Sequence, residues 1–144
     1  MMNTVDGTIQ YILELTRCFF AGDIDAAILA VLFDLGFSAQ CEGFSQLRLA
    51  IRYRYAHPHG NCHEVYEAVI RGTDPTATEV QIEQTVRSAI SSAWSRGPDE
   101  RWDLLFPTGK NGRRNRPSNF EFISRIACVL ELWSSAKRAE EENS

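Results

Sequence analysis

Apolar side chains recur every three or four residues along most of the chain, which is the period of an amphipathic helix. The intervening segments are short and contain the glycine, proline, asparagine and aspartate residues that end helices and form turns. The predicted helices are Thr4–Phe20, Ile24–Leu35, Phe44–Tyr55, His63–Arg71, a long helix that follows Thr78, Asp99–Phe106 and a last helix that follows Ser118. The pattern therefore predicts an all-α protein. Its second helix is apolar nearly all round, so it should lie in the core or at an interface.

The fourth and fifth predicted helices are joined by a short turn, which is the plan of a helix-turn-helix. Gly72 is expected to end the first of them in a left-handed conformation, and Pro75 prevents the helix from continuing. Thr78, followed three residues later by Gln81, predicts a capping box at the start of the second helix. The inward side of that helix would be Ile82, Val86, Ala89, Ile90, Ala93 and Trp94. The ordinary alternative is two consecutive helices of a bundle that binds no nucleic acid.

The outward side of the second helix is polar and carries little net charge. In the major groove Arg hydrogen-bonds guanine, Gln hydrogen-bonds adenine, and Glu accepts from cytosine. We therefore expect base contacts from Gln81, Glu83, Gln84, Arg87 and Ser88. Thr78, at the helix start, is expected to contact a phosphate.

The charge of the chain is distributed unevenly, although its total of −4 argues against a generic nucleic-acid binder. Residues 1–83 carry a net charge of −6, residues 84–116 carry +4, and residues 117–144 carry −2. The basic segment therefore begins in the candidate reading helix and continues beyond it. A compact basic face on an otherwise acidic protein is typical of DNA binding.

A basic loop follows the short helix that ends at Phe106. It contains two prolines, two glycines and the four cations Lys110, Arg113, Arg114 and Arg116, with no acidic residue. We predict that these cations bind phosphates, which contributes affinity through counterion release without sequence information. A solubilising loop is the simpler alternative. A phosphate-binding loop of an enzyme is disfavoured because no Gly-rich strand-to-helix pattern is present.

Other classes of protein find little support in the sequence. No apolar run is long enough to span a bilayer, and no secretory signal is recognisable, so we expect a cytoplasmic protein with reduced cysteines. His57, His59, Cys62 and His63 are of the types that bind zinc, but their spacing matches no common zinc motif. No arrangement of catalytic residues can be justified from spacing. We therefore expect no enzyme activity, no small-molecule substrate, no cofactor and no metal.

Several segments resemble the C-terminal DNA-binding domain of the stage 0 sporulation protein A family, the response regulators that control entry into endospore formation. These segments are FDLGFSAQCEGFSQLRLAI at 33–51, SAISSAWSRG at 88–97, Leu105-Phe106, and RPSNFEFI at 116–123. The resemblance covers about Ile24 to Trp133. It implies an all-helical effector domain whose second motif helix enters the major groove, often as a tandem dimer on short promoter boxes.

Some of the family's features are changed here. By position, Glu83 and Arg87 match polar residues of the family's reading helix, whereas Gln81 and Gln84 replace basic residues and Ser88 replaces a histidine. No acidic pair followed by a lysine at receiver spacing precedes the domain, so phosphorylation control is not carried over. An alternative function is therefore a protein-interaction module of the same fold, such as an antagonist or dimer partner of a full-length regulator. We assign residues 1–22 to an N-terminal helical extension, 23–137 to the DNA-binding domain and 138–144 to a frayed charged tail.

Overall fold

The computed structural model describes residues 23–106 and 116–142, and every regular element in these two ranges is a helix. The helices are α1 Ile24–Asp34, α2 Phe44–Ala56, α3 Cys62–Gly72, α4 Glu79–Arg96, α5 Asp99–Leu105 and α6 Asn119–Glu142. Each helix begins within about one residue of its predicted start. The all-α class is therefore confirmed. The predicted helix Thr4–Phe20 lies outside the described residues.

Helix α2 lies at the centre of the domain and packs against α1, α3, α4 and α6. Its inward residues Leu47, Ala50 and Ile51 are completely buried. Helix α1 contributes Ile28 and Leu32 to the same core, and α6 contributes Ile126. Burial of such aliphatic side chains stabilises a fold by about 1.5–3 kcal/mol each. The two helices of the predicted motif, α3 and α4, are thus held on a core built by α1, α2 and α6.

The end of α1 and the end of α4 meet in a close junction. Gly36 follows α1 with a φ of +95°, a conformation that glycine adopts without steric cost. The indole N–H of Trp102 in α5 donates to the carbonyl of Leu35 over 3.0 Å. A Cβ atom at Gly97 would lie only 2.2 Å from that carbonyl oxygen. The two glycines therefore allow the backbones to approach closely enough for this buried hydrogen bond.

Both helices of the motif begin with a capping box. The predicted box of α4 is confirmed, because the Gln81 amide donates to the Thr78 hydroxyl and the Thr78 amide donates to the Gln81 side chain. Helix α3 has a second box, formed by Asn61 and Glu64. Each cap satisfies backbone N–H groups that a helix start leaves without partners. The start of each motif helix is therefore determined locally.

The end of α3 differs from the prediction. Gly72 is helical, not left-handed, and Thr73 follows as the C-cap. The Thr73 hydroxyl donates to the carbonyl of Val69 over 2.7 Å, which satisfies a helix end without a left-handed glycine. In the turn that follows, the Asp74 carboxylate accepts from the amide and the hydroxyl of Thr76.

Helix α6 extends further than the predicted domain boundary at residue 137. It continues to Glu142, so residues 138–142 are helical, whereas the division of the chain into domain and tail at residue 137 stays a prediction. Arginine, alanine and glutamate fill this stretch, and all have high helix propensity, which explains the extension. Across residues 23–106 and 116–142, no helix has the length and hydropathy needed to cross a membrane.

Candidate nucleic-acid interface

Helix α4 has one buried side and one outward side, as its pattern predicted. Its inward side is formed by Ile82, Val86, Ala89, Ile90 and Ala93, and Trp94 is partly buried. The side chains of Gln81, Gln84, Arg87 and Ser88 are exposed, and Glu83 is half-buried at the edge of the outward side. Four of the five predicted base-reading residues therefore lie on the surface where a DNA groove could reach them.

Gln81 is partly occupied by its structural role. Its side-chain oxygen accepts from the Thr78 amide over 2.9 Å to complete the capping box. Reading adenine in the usual bidentate way requires both the oxygen and the NH₂ group of a glutamine. While the cap is intact, Gln81 can offer only its NH₂ group. Gln84 has no such role in the cap and is the better candidate for a bidentate contact.

Glu83 and Arg87 form an ion pair one helical turn apart on α4. Both side chains are about half exposed, at 42% and 55%, so the pair contributes little to stability. Its main effect is geometric, because the carboxylate holds the guanidinium along the helix surface. Arg87 is therefore oriented before any ligand arrives, at the cost of partial neutralisation of its charge.

Asn119, the first residue of α6, connects both helices of the motif, and sequence reasoning missed it. It is 8% exposed, and its side-chain NH₂ donates to the carbonyl of Glu83 over 2.9 Å and to the hydroxyl of Tyr66 over 3.2 Å. Burial raises the pKa of Tyr66 to about 12. Asn119 lies within RPSNFEFI, one of the segments that carry the family resemblance, but no contact was predicted for its side chain.

Arg116, at the end of the basic loop, is directed toward α4. Its guanidinium donates to the hydroxyl of Ser91 on that helix. Arg87 and Arg116 line one cleft of about 510 Å³ between α4 and the start of α6, with Tyr66 and Asn119 also in its wall. The cation of the helix and the cation of the loop therefore converge on the same surface. Lys110, Arg113 and Arg114 lie outside the described residues.

The family described as Sporulation initiation factor Spo0A C terminal matches residues 28–130, about seven tenths of the chain. The chain belongs to this family. The match confirms the resemblance found in the sequence, and it covers α2 to α5 completely with most of α1 and half of α6. The protein is accordingly a DNA-binding effector domain of the sporulation-regulator type.

Within the family fold, the histidine-rich turn before α3 has structural contacts of its own. His57 stacks on Tyr53 with ring centroids 4.1 Å apart, and His63 pairs with Glu67 and Glu79. Among the residues that the structure describes, no group of three or more His, Cys, Asp or Glu side chains is arranged to hold a metal ion. His63 instead connects the start of α3 to the start of α4.

Proposed function

We propose that the chain regulates transcription by sequence-specific binding to double-stranded DNA, with the outward side of α4 in the major groove. The observation that carries the proposal is the convergence of Arg87 and Arg116 on one cleft beside that side of the helix. A reading helix needs hydrogen-bonding side chains on its surface and cations beside it, so that it is positioned on the phosphate backbone. This chain has both the hydrogen-bonding side chains and the neighbouring cations, and it belongs to a family of DNA-binding domains.

Arg87 and Gln84 are the principal base-reading residues in this proposal. Both are exposed on α4, and their side chains have the donors and acceptors that guanine and adenine require. Glu83 orients Arg87 and, where the pair opens, accepts from cytosine. Ser88 makes a shorter contact to either kind of base pair. Gln81 donates a single hydrogen bond, because its oxygen is held in the cap.

The cations of the basic loop and the start of α4 would hold the phosphate backbone. Arg116 lies next to α4, and Lys110, Arg113 and Arg114 precede it in the sequence. The Thr78 hydroxyl accepts within the cap but keeps its hydrogen for a phosphate oxygen. Each neutralised phosphate contributes about 0.9 to the slope of log K against log salt on duplex DNA.

We also propose that the chain binds as a dimer in the cytoplasm, because the family resemblance implies tandem promoter boxes on which two copies lie side by side. A second candidate function is an interaction module with the same fold that binds DNA weakly or not at all. It is favoured by the Glu83–Arg87 pair, which reduces the positive charge of α4, and by the acidic Glu67 and Glu79 near the start of that helix.

Fluorescence anisotropy separates the two functions. The full chain is titrated against a duplex that carries a sporulation-type box and against a scrambled duplex, each at several salt concentrations. We expect at least tenfold tighter binding to the box, about 1.4 kcal/mol, with a steep salt slope. Equal, salt-dependent binding to both duplexes would mean that another sequence is recognised, or none. Failure to bind either duplex at low salt would support the interaction module.

A further inference from the structure

Val80, the second residue of α4, is the most exposed large hydrophobic residue in the part of the chain that the structure describes. It is 60% exposed, compared with 49% for Phe33 and 36% for Leu132. Valine also has a low helix propensity, so neither burial nor helix formation explains its presence at this position. A single exposed apolar residue is ordinary on a protein surface, so what distinguishes Val80 is its place on the helix.

Val80 lies on the same strip of α4 as two of the candidate base-reading residues. Gln84, Arg87 and Ser91 follow it at positions i+4, i+7 and i+11. At about 100° of rotation per residue, these four positions fall within about 60° of arc around the helix axis. Gln84 and Arg87 are exposed, and the Ser91 hydroxyl accepts from Arg116. One straight strip therefore runs from Val80 at the helix start to the cations beside α4.

The polar residues on either side of Val80 are held by contacts within the protein. Glu79 pairs with His63 on α3, and the side-chain oxygen of Gln81 accepts from the Thr78 amide. Val80 has no polar side-chain atom, and it stays on the surface. The first turn of α4 therefore presents an apolar group outward, in the part of a recognition helix that contacts base edges.

The major-groove edges of the four bases differ in whether they carry an apolar group. Only thymine does, in its C5-methyl group, whereas guanine, adenine and cytosine present hydrogen-bond donors and acceptors. A valine side chain placed against those polar groups removes water without replacing its hydrogen bonds, which is unfavourable. The chemistry of Val80 therefore matches thymine and disfavours the other three bases.

We propose that Val80 packs against the C5-methyl group of a thymine and makes the chain prefer that base at one position of its DNA site. This inference rests on the function proposed above, with α4 in the major groove. Val80 precedes Gln84 by four residues, about 6 Å along the axis, and neighbouring base pairs are about 3.4 Å apart. The preferred thymine therefore lies within about two base pairs of the base that Gln84 reads.

Selection from a random duplex library, followed by removal of single methyl groups, tests this preference. The full chain enriches its preferred duplex from the library. Each thymine of that duplex is then replaced in turn by deoxyuridine, which lacks only the C5-methyl group. Fluorescence anisotropy should show one position at which the replacement weakens binding about fourfold. This corresponds to about 0.8 kcal/mol, the value for burial of one methyl-sized group, at about 1.4 kcal/mol per tenfold.

Val80→Ala identifies the side chain that contacts the methyl group. The variant should fold, because Val80 is exposed and alanine has the higher helix propensity, and circular dichroism checks this. It should bind the thymine duplex and the deoxyuridine duplex with nearly equal affinity at the position found with the unaltered chain. The matched control is Leu132→Ala, which shortens another exposed apolar side chain on α6 and should keep the full difference.

A methyl effect of the same size in Val80→Ala would overturn the inference. So would the absence of any thymine whose methyl group affects binding, a result that needs only the unaltered chain. In both cases the enriched duplex would still support the proposed function. Failure to enrich any duplex from the library would overturn the proposed function together with the inference.

Discussion

The side-chain amide of Asn119 lies 2.9 Å from the backbone carbonyl of Glu83, and this contact fixes the start of α6 against the middle of α4. The same amide also donates to Tyr66 on α3. One buried side chain therefore holds both motif helices, α3 and α4, at a defined position relative to α6. Glu83 in turn holds Arg87, so the contact reaches the candidate reading surface through a single residue.

Asn119→Ala should destabilise the domain by about 1–3 kcal/mol, because it leaves the buried Tyr66 hydroxyl and the Glu83 carbonyl without this donor. Chemical denaturation followed by circular dichroism measures the change in the free energy of unfolding. Gln40→Ala, at an exposed position outside the helices, is the control and should change it by less than about 0.5 kcal/mol. An Asn119→Ala variant as stable as the control would contradict the anchoring role.

Arg87→Ala should reduce discrimination between the box and the scrambled duplex by about 1–3 kcal/mol, because a bidentate contact to guanine is lost. Arg114→Ala and Arg116→Ala should weaken binding to both duplexes alike and reduce the salt slope by about 1 each, because they remove phosphate contacts. Anisotropy titration gives both quantities.

The control for these variants is Arg48→Ala, which removes the same charge from an exposed position on α2. It should leave both discrimination and salt slope nearly unchanged. Should Arg87→Ala weaken binding to both duplexes equally, the base-reading assignment of this residue would be wrong, whereas the DNA-binding function would stand.

Tyr66 should make the domain sensitive to alkali. Its pKa is raised to about 12 by burial, above the value near 10 of an unfolded tyrosine. Between pH 10 and 12 the unfolded chain therefore loses this proton while the folded chain keeps it, so stability decreases as the pH rises. Tyr66→Phe should flatten this decrease by about 1–2 kcal/mol. Denaturation curves of both proteins at pH 8, 10 and 11 measure this loss of stability. An equal loss in the two proteins would contradict the burial of the Tyr66 hydroxyl.

Gly97→Ala should destabilise the domain by about 3 kcal/mol, at the upper end of overpacking effects. A Cβ there would meet the carbonyl oxygens of Leu35 and Ala93 at 2.2 and 2.5 Å, and backbone atoms cannot move aside easily. Gly72→Ala is the matched control, since its Cβ meets only the flexible side chain of Leu49 at 3.1 Å and the position is helical. Thermal unfolding compares the two variants. Similar melting temperatures would contradict the conclusion that the close approach of Gly97 to Leu35 requires glycine.

The sequence was sufficient for the features that depend on local spacing. The helical period of the apolar residues predicted the positions of α1 to α6, and the pattern of Thr78 and Gln81 predicted the cap of α4. These features depend on residues three or four positions apart, whose geometry a helix fixes in advance. The family resemblance rested on longer motifs and was confirmed by the match to residues 28–130.

The tertiary structure decided which polar side chains meet across the fold. Asn119 and Glu83 are 36 residues apart in the chain, and Arg116 and Ser91 are 25 apart. No periodicity connects such pairs, because their distance depends on how α4 and α6 pack on the core. The end of α3 at Thr73 was also missed, because a threonine hydroxyl and a left-handed glycine satisfy the same helix end. The sequence by itself thus determined the helices and their buried sides, and only packing determined which of their polar groups act together.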